Sequence, residues 1–132
     1  MTALQRVLHV EDDESIRAVT EVALQTVGHL SVLSCAGGRE ALEKAPAFNP
    51  QLILLDVMMP EMDGPSTLRE LSALLDLSEI PVLFMTAKVQ DKEVAQYRRL
   101  GAFDIIVKPF DPMTLADTLK QQWQRFQQQH HG

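Results

Sequence analysis

Cysteine is almost missing from these 132 residues: Cys35 stands alone. A single thiol excludes an internal disulfide and a thiolate metal cluster, and Cys35 is expected to be a small buried group rather than a nucleophile. Basic charge is also scarce. Twelve Lys and Arg stand against eighteen Asp and Glu, a formal net charge of −6. Bulk nucleic-acid binding is disfavoured on that balance, because phosphate neutralisation needs clustered cations. Long apolar runs are absent as well. No basic N-terminal segment leads into an apolar stretch, and no stretch approaches membrane-spanning length. A leader and membrane insertion are therefore not expected, and the cytoplasm is the default compartment. Low-complexity linkers and repeats are missing too. The remainder, 45% apolar and 23% charged, suits one globular domain with a sizeable core. That single domain is expected to span 1–132, with its core in about 5–126 and a polar, frayed tail over 127–132.

What is present is organised around residues 52–64, LILLDVMMPEMDG. The apolar run Leu52, Ile53, Leu54, Leu55 suits a strand buried on both faces, as in a parallel sheet. Asp56 ends the run, where such a strand meets solvent at the carboxyl edge of the sheet. Reaction and ligand sites of open α/β sheets gather at that edge. Pro60, Asp63 and Gly64 then punctuate a loop.

Elsewhere the chain alternates. RVLHV at 6–10 is a short strand that stops at Glu11-Asp12-Asp13-Glu14. Residues 15–27 have helical spacing, with Ile16, Val19, Ala23 and Val27 expected on the inward face and Gly28 as the stop. Residues 30–34 partly alternate, as in an edge strand. A short helix over 39–45 follows the Gly37-Gly38 turn and is expected to stop at Pro46. Pro65 opens a helix to about Leu75, with Leu68, Leu71 and Leu75 on one face. PVLFMT at 81–86 is the fourth strand. A helix over 89–100 carries Val94, Tyr97 and Leu100 and ends at Gly101. The fifth strand is expected over 103–107. Asp111 and Pro112 mark the start of the last helix, lined by Leu115, Leu119, Trp123 and Phe126. Five strands alternating with five helices imply one parallel sheet covered on both faces.

In such a sheet all carboxyl ends share an edge. Glu11 and Asp12, Asp56, Thr86 and Lys108 are therefore expected to converge, though remote in sequence. Clustered carboxylates repel unless a cation neutralises them. A hard oxygen set without Cys or His favours Mg²⁺ or a similar ion over zinc. A carboxylate beside a metal, a hydroxyl and an ammonium is a plausible phosphoryl acceptor. Each residue also has a bland reading. The acids at 11–13 suit a helix dipole, Thr86 a strand, Lys108 a surface charge. Their joint occurrence at strand ends favours the functional reading.

VEDDESIR, LILLDVMMPEMDG, PVLFMTA and VKPFDP, in this order and spacing, closely resemble the receiver domain of two-component response regulators, in its single-domain, chemotaxis-regulator-like form. The resemblance runs from about Arg6 to Phe126. It implies the flavodoxin-like, doubly wound fold, a five-stranded parallel sheet in order 2-1-3-4-5 between helical layers. It implies Asp56 as the residue phosphorylated by a histidine kinase or histidine phosphotransfer protein. Mg²⁺ is implied on Asp12, Asp56 and the Met58 carbonyl, with Glu11 assisting through a water. Lys108 is implied to pair with Asp56 at rest and with the phosphoryl group afterwards. Thr86 and the Ala87 backbone N–H are implied to bind phosphoryl oxygens, joined at the site by the Met58 backbone. Lys108-Pro109 is implied to be cis. The implied output is a switch of the face formed by the fourth helix, fifth strand and fifth helix, acting on an unknown downstream protein. The domain would be a monomer or a phosphorylation-dependent dimer, self-assisting rather than an enzyme, and either stand-alone or part of a longer protein. Met58 and Lys88 occupy the positions that tune phosphoryl lifetime in this family. One departure is Ile105, where the family usually has an aromatic switch residue. Phe103, two positions earlier, is expected on the same strand face.

Three rivals are weaker. An aspartate-nucleophile phosphatase commonly needs a second Asp where Met58 stands. A flavin carrier would have its phosphate repelled by Glu11-Asp12-Asp13. A non-phosphorylated interaction module remains the alternative outside catalysis.

Overall fold

The computed structural model describes residues 2–131. Five strands, β1 (Arg6–Val10), β2 (Ser31–Cys35), β3 (Leu52–Asp56), β4 (Val82–Thr86) and β5 (Asp104–Val107), form one parallel sheet in the order 2-1-3-4-5. This is the flavodoxin-like order expected from the sequence. The helices are α1 (Glu14–Val22), α2 (Gly38–Phe48), α3 (Gly64–Leu71), α4 (Asp91–Arg99) and α5 (Leu115–His131).

The central strand explains the layering. Leu52, Ile53, Leu54 and Leu55 are all fully buried. Alternation sends Ile53 and Leu55 into an apolar cluster with Ala41 and Ala45 of α2, Leu68 and Leu71 of α3, and Tyr97 of α4. Leu52 and Leu54 enter the opposite cluster with Ala23, Leu24 and the α5 stripe Leu115, Leu119, Trp123 and Phe126. Each such side chain contributes about 1.5–3 kcal/mol of burial free energy. Cys35 is buried at the end of β2, as expected.

Several local expectations are corrected. Of the inward set expected over 15–27, only Ala23, just past the end of α1, is buried, and Ile16 is half-buried. Val19, Val22 and Val27 are exposed, while Thr20 and Leu24 face the sheet. A π-helical turn over Ala23–Val27 follows α1 and shifts its face, with Gly28 N–H donating to Ala23 O five residues back. Pro46 lies inside α2, which runs on to Phe48 and ends on Asn49 in the left-handed region. Pro46 sits in the last turn on an exposed face, where the hydrogen bond it cannot donate is least costly. Regular α3 stops at Leu71 rather than Leu75, and α4 is shorter than expected. Gly101, at φ 115°, follows α4 as an L side chain rarely could.

Asp111 caps a turn before α5 rather than its first residue, accepting from Met113 N–H at 2.9 Å. The tail expected to fray continues α5 to His131. The His130 ring stacks on Phe126 with centroids 3.9 Å apart, which supplies contact the polar sequence did not advertise. Gly132 lies outside the described residues. Phe103 precedes β5 and packs with the α5-side cluster, its ring 5.2 Å from that of Phe126. Ile105 packs into the opposite cluster. The two are therefore not on one face, because strand alternation does not extend back to Phe103. Among the described residues no helix is long and apolar enough to cross a membrane.

Candidate functional site: an acidic cluster at the carboxyl edge of the sheet

The parallel arrangement brings the expected residues together. β1 delivers Glu11, β3 ends on Asp56, β4 ends on Thr86, and Lys108 follows β5. Thr86 and Val107 are register partners, and Lys108 N–H donates to Thr86 O at 2.9 Å. The Lys108 ammonium donates to Glu11 Oε1 and to Asp56 Oδ1, each at 2.7 Å. Oxygens from Glu11, Asp12 and Asp56 all lie within 4.8 Å of one another. Glu11 and Asp56 are buried, whereas Asp12 is exposed. Thr86 is buried with its hydroxyl accepting from Lys88 N–H at 3.0 Å. Met58 and Ala87 lie exposed in the loops after β3 and β4. The Lys108-Pro109 bond is cis.

The loop after β3 is drawn tightly back under the site. Asp63 caps α3 by accepting from Ser66 N–H at 2.8 Å, and Gly64 N–H donates to Val57 O at 2.9 Å. A Cβ on Gly64 would stand 2.6 Å from Asp56 O, so only glycine allows this approach.

Electrostatics follow from burial and crowding. Burial pushes the Glu11 carboxyl up to about 7; the Lys108 hydrogen bond opposes this and the Asp56 charge adds to it. For Lys108, burial favours the neutral amine, but hydrogen bonds to Asp56 and Glu11 outweigh it and raise the ammonium above its usual range. Three carboxylates face one ammonium here. An all-oxygen set with residual negative charge fits a hard divalent cation.

Sequence reasoning paired Lys108 with Asp56 and gave Glu11 a water-mediated part at the metal; the structure also makes Glu11 a direct partner of Lys108. It also missed Arg17, whose Nη1 donates to the Glu11 and Asp12 carbonyls at 2.8 and 2.9 Å. His9 was missed as well. It is fully buried in β1, and neither ring nitrogen has a hydrogen-bond partner among the described residues. Burial first, then the Lys108 and Arg17 charges, lower its pKa to about 3. The available signal was a titratable residue inside an otherwise apolar strand, RVLHV.

The family model for the response regulator receiver domain matches residues 7–120. The regulatory protein AtoC of Escherichia coli K12 is 37% identical over 112 residues, covering 84% of this chain and 23% of AtoC. The transcriptional regulatory protein CseB of Streptomyces coelicolor is 37% identical over 120 residues, 91% of this chain and 50% of CseB. The chain thus spans about half or less of the length of these curated relatives. The solved structure of the chemotaxis response regulator CheY4 of Vibrio cholerae superposes with a TM-score of 0.82 at 34% identity, covering 90% of this chain and 98% of that one. A 2-1-3-4-5 sheet, an acidic edge closed by a lysine, and these matches lead to one assignment: the chain belongs to the response regulator receiver domain family of two-component systems.

Proposed function

We propose that this domain is a phosphorylation switch that accepts a phosphoryl group on Asp56 from a phosphohistidine of a histidine kinase or histidine phosphotransfer protein. The observation that carries this reading is the Lys108 ammonium held between Glu11 and Asp56 beside Asp12 at one sheet edge. Transfer breaks the P–N bond of the donor and forms a P–O bond to the Asp56 carboxylate, and the departing imidazole takes up a proton. Asp12 and Asp56 carboxylates and the Met58 carbonyl would hold Mg²⁺, with Glu11 acting through a water. When bound, the ion neutralises carboxylate and phosphoryl oxygens that would otherwise repel. Lys108 exchanges its Asp56 contact for the phosphoryl group, and the Thr86 hydroxyl and Ala87 N–H complete the cradle. The chain supplies its own acceptor and keeps the product, so it assists its own phosphorylation and dephosphorylation without being an enzyme in the turnover sense.

The donor must bring an imidazole to Asp56, so its surface covers what surrounds the site. An apolar groove lies there, lined by Ile16, Val19, Ala87, Pro109 and Phe110. Its apolar character suits a protein partner in the cytoplasm. The output is a shift of the α4, β5 and α5 face toward a second conformation. In the present state Asp104 ties that face together, pairing with Arg98 of α4 at 3.1 Å and Arg125 of α5 at 2.6 Å.

The test is labelling by acetyl phosphate. Label that requires Mg²⁺ and disappears in Asp56→Asn is the expected result. Wild-type protein that takes no label and binds no beryllofluoride would establish the non-phosphorylated interaction module instead.

A further inference from the structure

The three carboxylates of the cluster are not held alike. Glu11 and Asp56 are both fixed by Lys108. Asp12 is exposed, and its carboxylate has no hydrogen bond among the described residues. The Asp12 hydrogen bond among the described residues is made by its backbone carbonyl. Arg17, half-buried on α1, donates from one guanidinium nitrogen to both the Glu11 and the Asp12 carbonyl. The surrounding turn is braced in the same sense. Glu11 N–H donates to Cys35 O at 3.0 Å, Asp13 N–H to Glu11 Oε2 at 3.2 Å, and Ile16 N–H to the Asp13 cap at 3.0 Å. Glu11 is thus held at both ends, its carbonyl by Arg17 and its carboxylate by Lys108, and the Asp12 carbonyl beside it shares the same guanidinium nitrogen, while the Asp12 carboxylate lies within 4.8 Å of those of Glu11 and Asp56.

We infer that Arg17 is a positioning residue for the divalent-cation site: it holds the Glu11-Asp12 peptide so that Asp12 faces Asp56 against the mutual repulsion of the acids. The inference rests on the proposed Mg²⁺ site and adds to it a group that touches neither ion nor phosphate. A guanidinium has two opposed effects here. Its charge competes with an incoming cation, while its hydrogen bonds preorganise the ligands. Outer groups that orient metal ligands typically contribute about 10–100-fold in metal affinity. Geometry is therefore expected to outweigh charge.

Arg17→Lys separates the two, because it keeps the charge and loses the planar donor geometry. Mg²⁺ binding to the unphosphorylated full chain is measured by calorimetry, at a temperature where circular dichroism shows each variant folded. Arg17→Lys is expected to raise the Mg²⁺ dissociation constant about tenfold, and Arg17→Ala at least as much. In acetyl phosphate labelling, the Mg²⁺ concentration for half-maximal rate rises by the same factor. The rate at saturating Mg²⁺ stays within about twofold, a split that a general loss of folded protein would not give. Arg17→Lys binding Mg²⁺ like wild type, or Arg17→Ala binding more tightly than wild type, overturns the positioning role. Wild type that binds no Mg²⁺ overturns instead the metal site on which the inference rests.

Discussion

His9 makes the stability of this domain fall in acid in a way that can be isolated. The ring is fully buried in β1, where Ser34 of β2 and Leu54 of β3 are the register partners of His9, with Lys108 and Arg17 contributing unfavourable charge. Its pKa is about 3 in the folded protein against 6.5 for the unperturbed side chain. The unfolded chain therefore takes up a proton first as pH falls. Stability contributed by neutral His9 is complete above about pH 6.5 and is lost downward through the window to about pH 3. Within that window the slope is about 1.4 kcal/mol per pH unit, so the loss by pH 4.5 is roughly 2.7 kcal/mol.

His9→Leu removes the titration at similar volume and keeps the buried position filled by an apolar side chain. Urea unfolding of both proteins at pH 7.5, 6.5, 5.5 and 4.5 isolates the effect, because carboxylates common to both cancel in the difference. The wild type is expected to lose ground on the variant below pH 6.5 and to trail it by roughly 2.7 kcal/mol more at pH 4.5 than at pH 7.5. Parallel curves for the two proteins would refute the reasoning. They would mean that His9 reaches water or a partner and titrates alike in both states.

Lys108→Ala is expected to accept label from acetyl phosphate while the α4, β5 and α5 amide signals fail to shift; normal shifts on beryllofluoride would contradict the switch role. Gly64→Ala forces a Cβ within 2.6 Å of the Asp56 carbonyl and 2.9 Å of Val57 Cα, both backbone. It should cost about 1–3 kcal/mol by urea unfolding and weaken Mg²⁺ binding, whereas an unchanged midpoint would mean the loop can retreat. Val19→Asp with Val22→Asp changes exposed residues, so stability should move by no more than about 0.5 kcal/mol per site. Phosphotransfer from a protein donor should fall while labelling by acetyl phosphate persists, and equal loss of both would place these valines in the fold instead.

The sheet was legible because buried parallel strands are written plainly: LILLD and VLFMT are apolar runs that each end in a polar residue at the acidic edge. The ordering of β-strands then placed Glu11, Asp12, Asp56, Thr86 and Lys108 at one edge without any knowledge of contacts. Helix ends were less legible. Pro46 and Leu75 misled in opposite directions, since propensity decides little in the last turn, where neighbouring packing decides more. Arg17 was invisible because a side chain that bonds carbonyls leaves no pattern; any exposed helix position accommodates an arginine. Phe103 was misplaced because alternation was extended one residue beyond the strand that enforces it.

The misreading of α1 has a different origin. Hydrophobic periodicity identifies the buried face only when apolar residues are selected for the core alone. Here Thr20 lies buried, its hydroxyl without a hydrogen-bond partner among the described residues, and Val19 and Val22 stand 45% and 57% exposed. Burial free energy runs against that arrangement, because half-exposed valines gain less than core ones and a buried hydroxyl without a partner costs about 1–3 kcal/mol. The domain tolerates it because β3 and β4, buried throughout, anchor a core completed by α2, α3 and α5. What the arrangement supplies is an apolar surface continuous with the groove beside Lys108, on the helix whose first turns carry Asp13 and Arg17. The same short element thus holds the acidic loop in register and presents the face a phosphodonor protein would cover. On the proposed function, this local departure from inside-outside patterning falls where a partner would bind, the kind of site at which binding rather than folding sets the residue choice.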